Sequence, residues 1–422
     1  MSNDEVRAFD PLRIPRPLRL ANSLASRLGS RQPKALRLDV DELLSTAREK
    51  ARLFDFGPPT FREGLDRLVD SLEAEGRLSP FGRLAFRQQL VGLLVNRLRV
   101  RDWQKKHPVL EYEEVRAPLM VLGMPRTGTT LVSFLLDQDP MNRSVLAWEA
   151  ANVAPPPTIA DRWEDDRLVA AIQADRRRHR LAPHLQAMHP MSPTIPTECV
   201  SLLAGEFTSV HFETLALIES YGEWLRDCDM APAYGFHKLQ LQILQSTVPV
   251  ERWALKTPVH TWHLDALHAV YPDARLVWCH RDPVVAVNST ASLVTALQTL
   301  HSDQVSPPDI GHAWRDKCLH AVTAGTEARG RLGLDDTIFD LQYAELIDDP
   351  VGAIERIYQH FDLELSELGR RRMQAWLEAR PQDAFGRHRY QLSDFGLDER
   401  ELRGLFADYV TRYEVPTERP PG

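Results

Sequence analysis

The run APLMVLGMPRTGTTLVSFLLDQ, Ala117 to Gln138, constrains the fold of this chain more than any other stretch. Its first part, APLMVLGM, is apolar throughout and closes on glycine. A strand buried on both faces reads this way, whereas a strand with one wet face alternates. TTLVSFLLDQ then continues at helical spacing. The arrangement recurs three times: RWALKT before PVHTWHLDALHAVY, ARLVWCH before PVVAVNSTASLVTALQTL, and DTIFDLQY before PVGAIERIYQHF. Strands alternating with helices predict an α/β fold, a P-loop-type doubly wound parallel sheet flanked by helices. Ligands of such sheets bind outside the carboxyl ends of the strands, so the residues just after each apolar run are where chemistry is expected.

With 422 residues there is ample chain for a large core, and 43% hydrophobic with 26% charged residues is the balance of an ordinary globular protein. We divide it into a helical N-terminal region, residues 1–115, and an α/β domain, residues 116–422. The N-terminal region reads as helices in DVDELLSTAREKARL, PTFREGLDRLVDSLEAEG (with Pro59-Thr60 as a cap-like start) and SPFGRLAFRQQLVGLLVNRLRVRDWQKKH. At about 155–250 no strand is legible. This mostly helical insert is placed to cover the binding end of the sheet on the acceptor side. Its aromatics Phe207, Phe212, Tyr221, Trp224 and Tyr234 suit either a hydrophobic acceptor or plain interior packing.

A net charge of -8 argues against a nucleic-acid partner, which calls for a basic face. Four dispersed cysteines without a CxxC pair argue against a disulfide framework or structural zinc and make a reducing cytoplasm the expected location. No apolar run reaches the roughly 18 residues of a membrane span, and the N-terminus carries charge where a signal peptide has its apolar core. Spaced arginines from Arg7 to Arg37 suit weak peripheral contact with an anionic membrane, the plainer reading being a solvated leader. Oligomeric state is not legible.

GMPRTGTT has the GxxxxG spacing of a phosphate-binding loop. Glycines let successive N–H groups converge on an anion, the following helix adds its positive end, and Arg126 can fork onto phosphate or sulfate oxygens. Yet Thr129 stands where a nucleotide triphosphatase carries the lysine for its β- and γ-phosphates. Lys256, directly after the second major strand, can neutralise charge on a leaving oxygen. His260 opens the next helix as a base or an acceptor contact. His260, His263, Asp265 and His268 suggest a metal only superficially, because helical periodicity explains their spacing and no HExxH occurs; no metal is expected. Arg281 follows the next strand and Ser289 lies eight residues on, placing both within reach of a second phosphate.

These residues resemble the sulfotransferases that use 3′-phosphoadenylyl sulfate (PAPS), in their bacterial form. GMPRTGTT is similar to the loop that binds the 5′-phosphosulfate, Arg281 and Ser289 to the Arg-x7-Ser of the 3′-phosphate segment, and YAELIDDP with Tyr343 to the segment near the nucleotide. GRHRYQLSDFGLDERELRGLFADYV is similar to the C-terminal ending of that group. The resemblance implies sulfuryl transfer from PAPS, without a metal, to a hydroxyl or amine of a small or lipidic acceptor. It implies that Arg126, Thr127, Gly128, Thr129 and Thr130 hold the 5′ end and that Arg281 and Ser289 hold the 3′-phosphate. Tyr343 would lie near adenosine, and Arg387 or Arg389 would close over the nucleotide. Arginine at position 126 matches protein-tyrosine and many bacterial members, where cytosolic enzymes carry lysine.

The acceptor's proton needs a base. Glu149, 23 residues after Arg126, resembles the glutamate of tyrosylprotein and some bacterial sulfotransferases and ranks first. His260 ranks second and Glu198, in PTECVSLL, third. The plain alternatives are a buried ion-pair partner for Glu149 and a helix-start acid for Glu198. The competing function is a P-loop kinase or NTPase on a small molecule, for which Asp282 is the nearest Walker-B-like acid. A third reading is a non-catalytic relative that binds a sulfated or phosphorylated partner.

Overall fold

The computed structural model describes Asn22 and residues 36–181, 192–380 and 391–418. Most of the arginine-spaced leader lies outside them. Five strands form one sheet in the order β2-β3-β1-β4-β5, all parallel. They are β1 (Leu119–Gly123), β2 (Asn142–Arg143), β3 (Arg252–Lys256), β4 (Arg275–His280) and β5 (Phe339–Gln342). Every residue of β1 and β3 is buried, including Arg252 and Lys256 at the two ends of β3. The apolar pattern fails only for β2, which has two residues and is polar in sequence. In register, Met120 lies beside Leu255 of β3 and Leu122 beside Trp278 of β4.

The chain leaves β1 through a short helix to the edge strand β2. It returns to β3 on one flank of β1 and then crosses to β4 on the other. The carboxyl ends of β1, β3 and β4 therefore border the point where the winding reverses, which is where an open parallel sheet has its natural crevice.

Three N-terminal helices, α1 (Val40–Ala51), α2 (Phe61–Ala74) and α3 (Pro80–Lys106), occupy the segments that the helical pattern predicts. Asp39 caps α1 by accepting from the Glu42 amide at 2.9 Å, and Ser79 caps α3 by accepting from Gly82 at 3.0 Å with Pro80 as the first helical residue. Thr60 departs from expectation. Its hydroxyl makes no cap and instead donates to Glu206 at 2.8 Å, tying α2 to the insert.

Arg97 of α3 makes the same connection from the interior. It is fully buried, donates to Glu206 at 2.7 Å and to the carbonyls of Phe56 and Pro58, and lies over the rings of Phe61 and Phe236. Around it one apolar cluster joins Leu43, Leu65 and Leu94 of the N-terminal helices to Phe207, Phe212 and Tyr221 of the insert. Those three aromatics and Tyr234 are buried, so they are interior packing, one of the two roles their sequence allowed. Among the described residues no strand interrupts 155–250, and no helix is long and apolar enough to cross a membrane.

Gly123 ends β1 at φ +142, and a Cβ there would stand 2.4 Å from the Cys279 carbonyl oxygen of β4. Both the left-handed backbone and the contact demand glycine. Gly123→Ala is expected to destabilise the fold by ~1–3 kcal/mol, read as a lower denaturant midpoint. An unchanged midpoint would mean that β1 and β4 can separate without cost.

Candidate active site

The loop after β1 is wound by three residues of positive φ: Gly123, Arg126 at +67 and Gly128 at +94. A non-glycine residue in this region is strained, and such strain persists where the surroundings fix it. Thr127 supplies part of that fixation, because its buried hydroxyl donates to the Met124 carbonyl at 2.7 Å. Thr127 thus offers a ligand its backbone rather than its hydroxyl. A Cβ on Gly128 would meet Leu346 at 2.7 Å and Tyr343 at 3.1 Å, so the segment after β5 packs directly on the loop. The helix α4 (Thr129–Leu136) starts here, presenting its first amides and the Thr130 hydroxyl at the end of the sheet.

Four predicted residues meet on the β4 side of this loop. Arg126 donates from Nε to the Ser289 hydroxyl at 3.0 Å. Ser289 sits on the helix Pro283–Thr299, whose N-cap Asp282 accepts from the Val284 amide at 2.9 Å. Arg281 donates from Nη1 to the Arg126 carbonyl at 3.0 Å and lies 3.7 Å from the centre of the Tyr343 ring. The carboxylate of Glu418 bridges Nε and Nη2 of Arg281 at 2.8 and 2.9 Å. No sequence motif marks Glu418.

A second group meets on the β3 side. Lys256, the last residue of β3, donates to Glu198 Oε1 at 2.5 Å and lies 3.4 Å from the Thr130 hydroxyl. Thr257 donates to the other Glu198 oxygen at 3.2 Å, and the Cys199 amide donates to the Lys256 carbonyl at 2.9 Å. Glu198 is therefore positioned at the phosphate loop by three contacts to the end of β3, and its side chain keeps 24% exposure.

The two carboxylate and imidazole candidates ranked above Glu198 stand elsewhere. Glu149 is fully buried in the helix Ala147–Ala151. Its Oε1 accepts from Arg143 at 3.2 Å and Arg162 at 2.9 Å, and its Oε2 accepts from Arg162 at 3.2 Å and the Leu146 amide at 3.0 Å. Burial pulls the Arg143 guanidinium down to about 10. The geometry is that of a buried ion-pair hub, with both oxygens engaged by arginines and a backbone amide. His260 is fully buried with Nδ1 paired to the Tyr234 hydroxyl at 2.9 Å. Burial holds its imidazole well below the ordinary value, which makes it a weak base. Arg387 and Arg389 lie outside the described residues.

Asp282, the acid nearest to a Walker-B position, is fully engaged. One oxygen caps the Val284 amide, and the other accepts from the Glu418 amide at 2.8 Å and from Arg403 at 3.4 Å. Buried and turned to backbone and arginine, it serves as a helix cap rather than as a magnesium ligand.

A parallel sheet of this order, with a strained glycine loop after β1 and cations at the carboxyl ends of three neighbouring strands, defines a P-loop-type α/β protein. Residues 118–367 match the profile described as the sulfotransferase family, and the chain belongs to that family and is a sulfotransferase. It is similar to the crystal structure of sulfotransferase STF9 from Mycobacterium avium, with 33% identity and a TM-score of 0.83 over 91% of this chain and 98% of that one. Sulfotransferase STF1 from Mycobacterium tuberculosis H37Rv is also similar, at 30% identity and a TM-score of 0.78 over 88% and 98% of the two chains. The omega-hydroxy-beta-dihydromenaquinone-9 sulfotransferase Stf3 of Mycobacterium bovis is 27% identical over 62% of this chain and 67% of its own length.

Proposed function

We infer that the donor is PAPS, that Glu198 is the general base, and that the acceptor is a hydroxyl on a lipidic molecule. The observation that carries the assignment of the base is the Glu198–Lys256–Thr130 contact chain, which sets one partly exposed carboxylate against the phosphate loop. The residues present fit a nucleotide with two anionic ends. The loop at Arg126–Thr130 suits the 5′ phosphosulfate, and on the Arg281 fork the Glu418 carboxylate already stands in for a second anion. Bound PAPS supplies an activated sulfuryl group and a leaving 3′-phosphoadenosine 5′-phosphate (PAP).

The chain's own residues do the remaining work. The backbone amides at Gly128–Thr130 and the Arg126 guanidinium bind and orient the 5′ end, and Arg281 with Ser289 binds the 3′-phosphate. Lys256 donates to the oxygen on which charge accumulates. Glu198 takes the proton of the acceptor hydroxyl at Oε1 or Oε2, and its contacts to Lys256 and Thr257 hold the carboxylate at the reaction side of β3. Tyr343 stacks on Arg281 and fixes its plane. The lipidic acceptor rests on the relative whose name specifies an omega-hydroxylated menaquinone. Transfer of labelled sulfate from PAPS into a panel of long-chain alcohols, hydroxylated prenyl quinones and amines tests it. Label confined to amines would overturn the hydroxyl assignment.

Arg281→Ala is expected to weaken PAP binding about ten- to a hundredfold, the loss of charge-assisted hydrogen bonds to one phosphate. Adenosine 5′-phosphosulfate, which lacks the 3′-phosphate, should bind within about threefold of its wild-type affinity. Calorimetric titration of both nucleotides checks this, and equal losses for the two would remove Arg281 from the 3′ site.

A further inference from the structure

We propose that Glu418 is a specificity-determining residue, an internal anion that competes with the 3′-phosphate for Arg281 and is displaced when nucleotide binds. This rests on the assignment of Arg281 to the 3′-phosphate. Glu418 takes the Nε–Nη2 edge of the guanidinium with both carboxylate oxygens, at 2.8 and 3.2 Å from Nε and 2.9 Å from Nη2. That edge offers two parallel N–H groups, the arrangement by which arginine grips phosphate oxygens, and two anions cannot share it.

Two roles are open to such a carboxylate: to position Arg281 or to compete for it. The other contacts of Arg281 decide between them. Its Nη1 is tied to the Arg126 carbonyl at 3.0 Å and its plane rests on Tyr343, so its place is fixed without Glu418. The tail, for its part, is anchored independently of the Glu418 side chain. Tyr413 and Val415 are buried in the cluster with Phe395 and Phe406, the Val415 amide donates to the Val410 carbonyl at 3.0 Å, and the Glu418 amide donates to Asp282. A rotation of the Glu418 side chain alone therefore withdraws its carboxylate from the Nε–Nη2 edge. The Glu418 side chain is 30% exposed, so the released carboxylate reaches water. A doubly charged phosphate displaces a singly charged carboxylate from such a site.

The competition lowers affinity selectively for nucleotides that carry a 3′-phosphate, product PAP among them, and leaves others untouched. Calorimetric titration of the full chain with PAP and with adenosine 5′-phosphate, which differ only in that group, tests this. Glu418→Gln is expected to bind PAP about tenfold more tightly, with adenosine 5′-phosphate unchanged within about twofold. Glu418→Asp, a shorter carboxylate still tethered by the same backbone clip, should fall between the two. Weaker or unaltered PAP binding by Glu418→Gln would overturn the proposal, weaker binding by showing that Glu418 positions Arg281. Arg281→Ala is titrated alongside. If it leaves the ratio of the two affinities as in the wild type, the 3′-phosphate assignment itself falls. If it collapses the ratio while Glu418→Gln changes nothing, only the competition does.

Discussion

Glu198→Gln is expected to lower turnover about 10²- to 10⁴-fold, the usual contribution of a positioned general base, with PAP affinity within about threefold of wild type. The amide keeps the shape, and its oxygen can still accept from Lys256 while its nitrogen donates to the Thr257 hydroxyl, but it cannot take the acceptor proton. Glu198 is the one candidate base whose carboxylate combines exposure with contact to the phosphate loop through Lys256. Single-turnover transfer from PAPS separates this loss from any change in binding or product release. A variant with near-wild-type transfer would return the role to another group. A variant with weak PAP binding would recast Glu198 as a nucleotide-site residue, acting through Lys256.

Glu149 should behave in the opposite way. Glu149→Ala leaves Arg143 and Arg162 without their common counter-charge, and Arg143 is itself buried. Removing one partner from a buried ion pair costs ~3–5 kcal/mol, because the remaining charge stays desolvated and unpaired. The Leu146 amide loses its acceptor as well, which frays the start of the helix Ala147–Ala151. The expected result is an unfolding free energy lowered by that amount, read from a lower denaturant midpoint, with Glu149→Gln intermediate. Turnover per folded molecule should remain within about an order of magnitude of wild type under conditions where the variant is folded. Unchanged stability with abolished turnover would make Glu149 the base and defeat the assignment of Glu198.

The contrast between these two glutamates shows what the sequence could and could not convey. The apolar runs and the loop glycines specify local structure, and β1, β3, β4 and β5 occur where those runs stand. The same logic locates Arg126, Lys256, Arg281 and Tyr343, because each ends a strand, directly follows one or lies in the loop after one. Glu149 and Glu198 instead follow none of the apolar strand runs, so only the fold decides which faces the crevice. Glu198 had one usable clue, its place at the start of an apolar helical run beside a threonine and a cysteine. The Cys199 amide does pair with the end of β3, but that contact spans 57 residues and no spacing rule reaches it. β2 carries no sequence signal for a related reason, since two polar residues form a strand only because β3 offers them an edge. Glu418 is the extreme case, a carboxylate brought to Arg281 across 137 residues by the packing of Tyr413 and Val415.

A phosphate loop that lacks the triphosphatase lysine and is completed by a separate arginine should prefer a nucleotide with two anionic ends to ATP. The most direct measurement is calorimetric titration of the wild-type chain with PAP, adenosine 5′-phosphate and ATP with magnesium. We predict that PAP binds at least about tenfold more tightly than adenosine 5′-phosphate, and more tightly than ATP, with no dependence on magnesium. Equal affinity for PAP and adenosine 5′-phosphate, or magnesium-dependent ATP binding tighter than either, would contradict it.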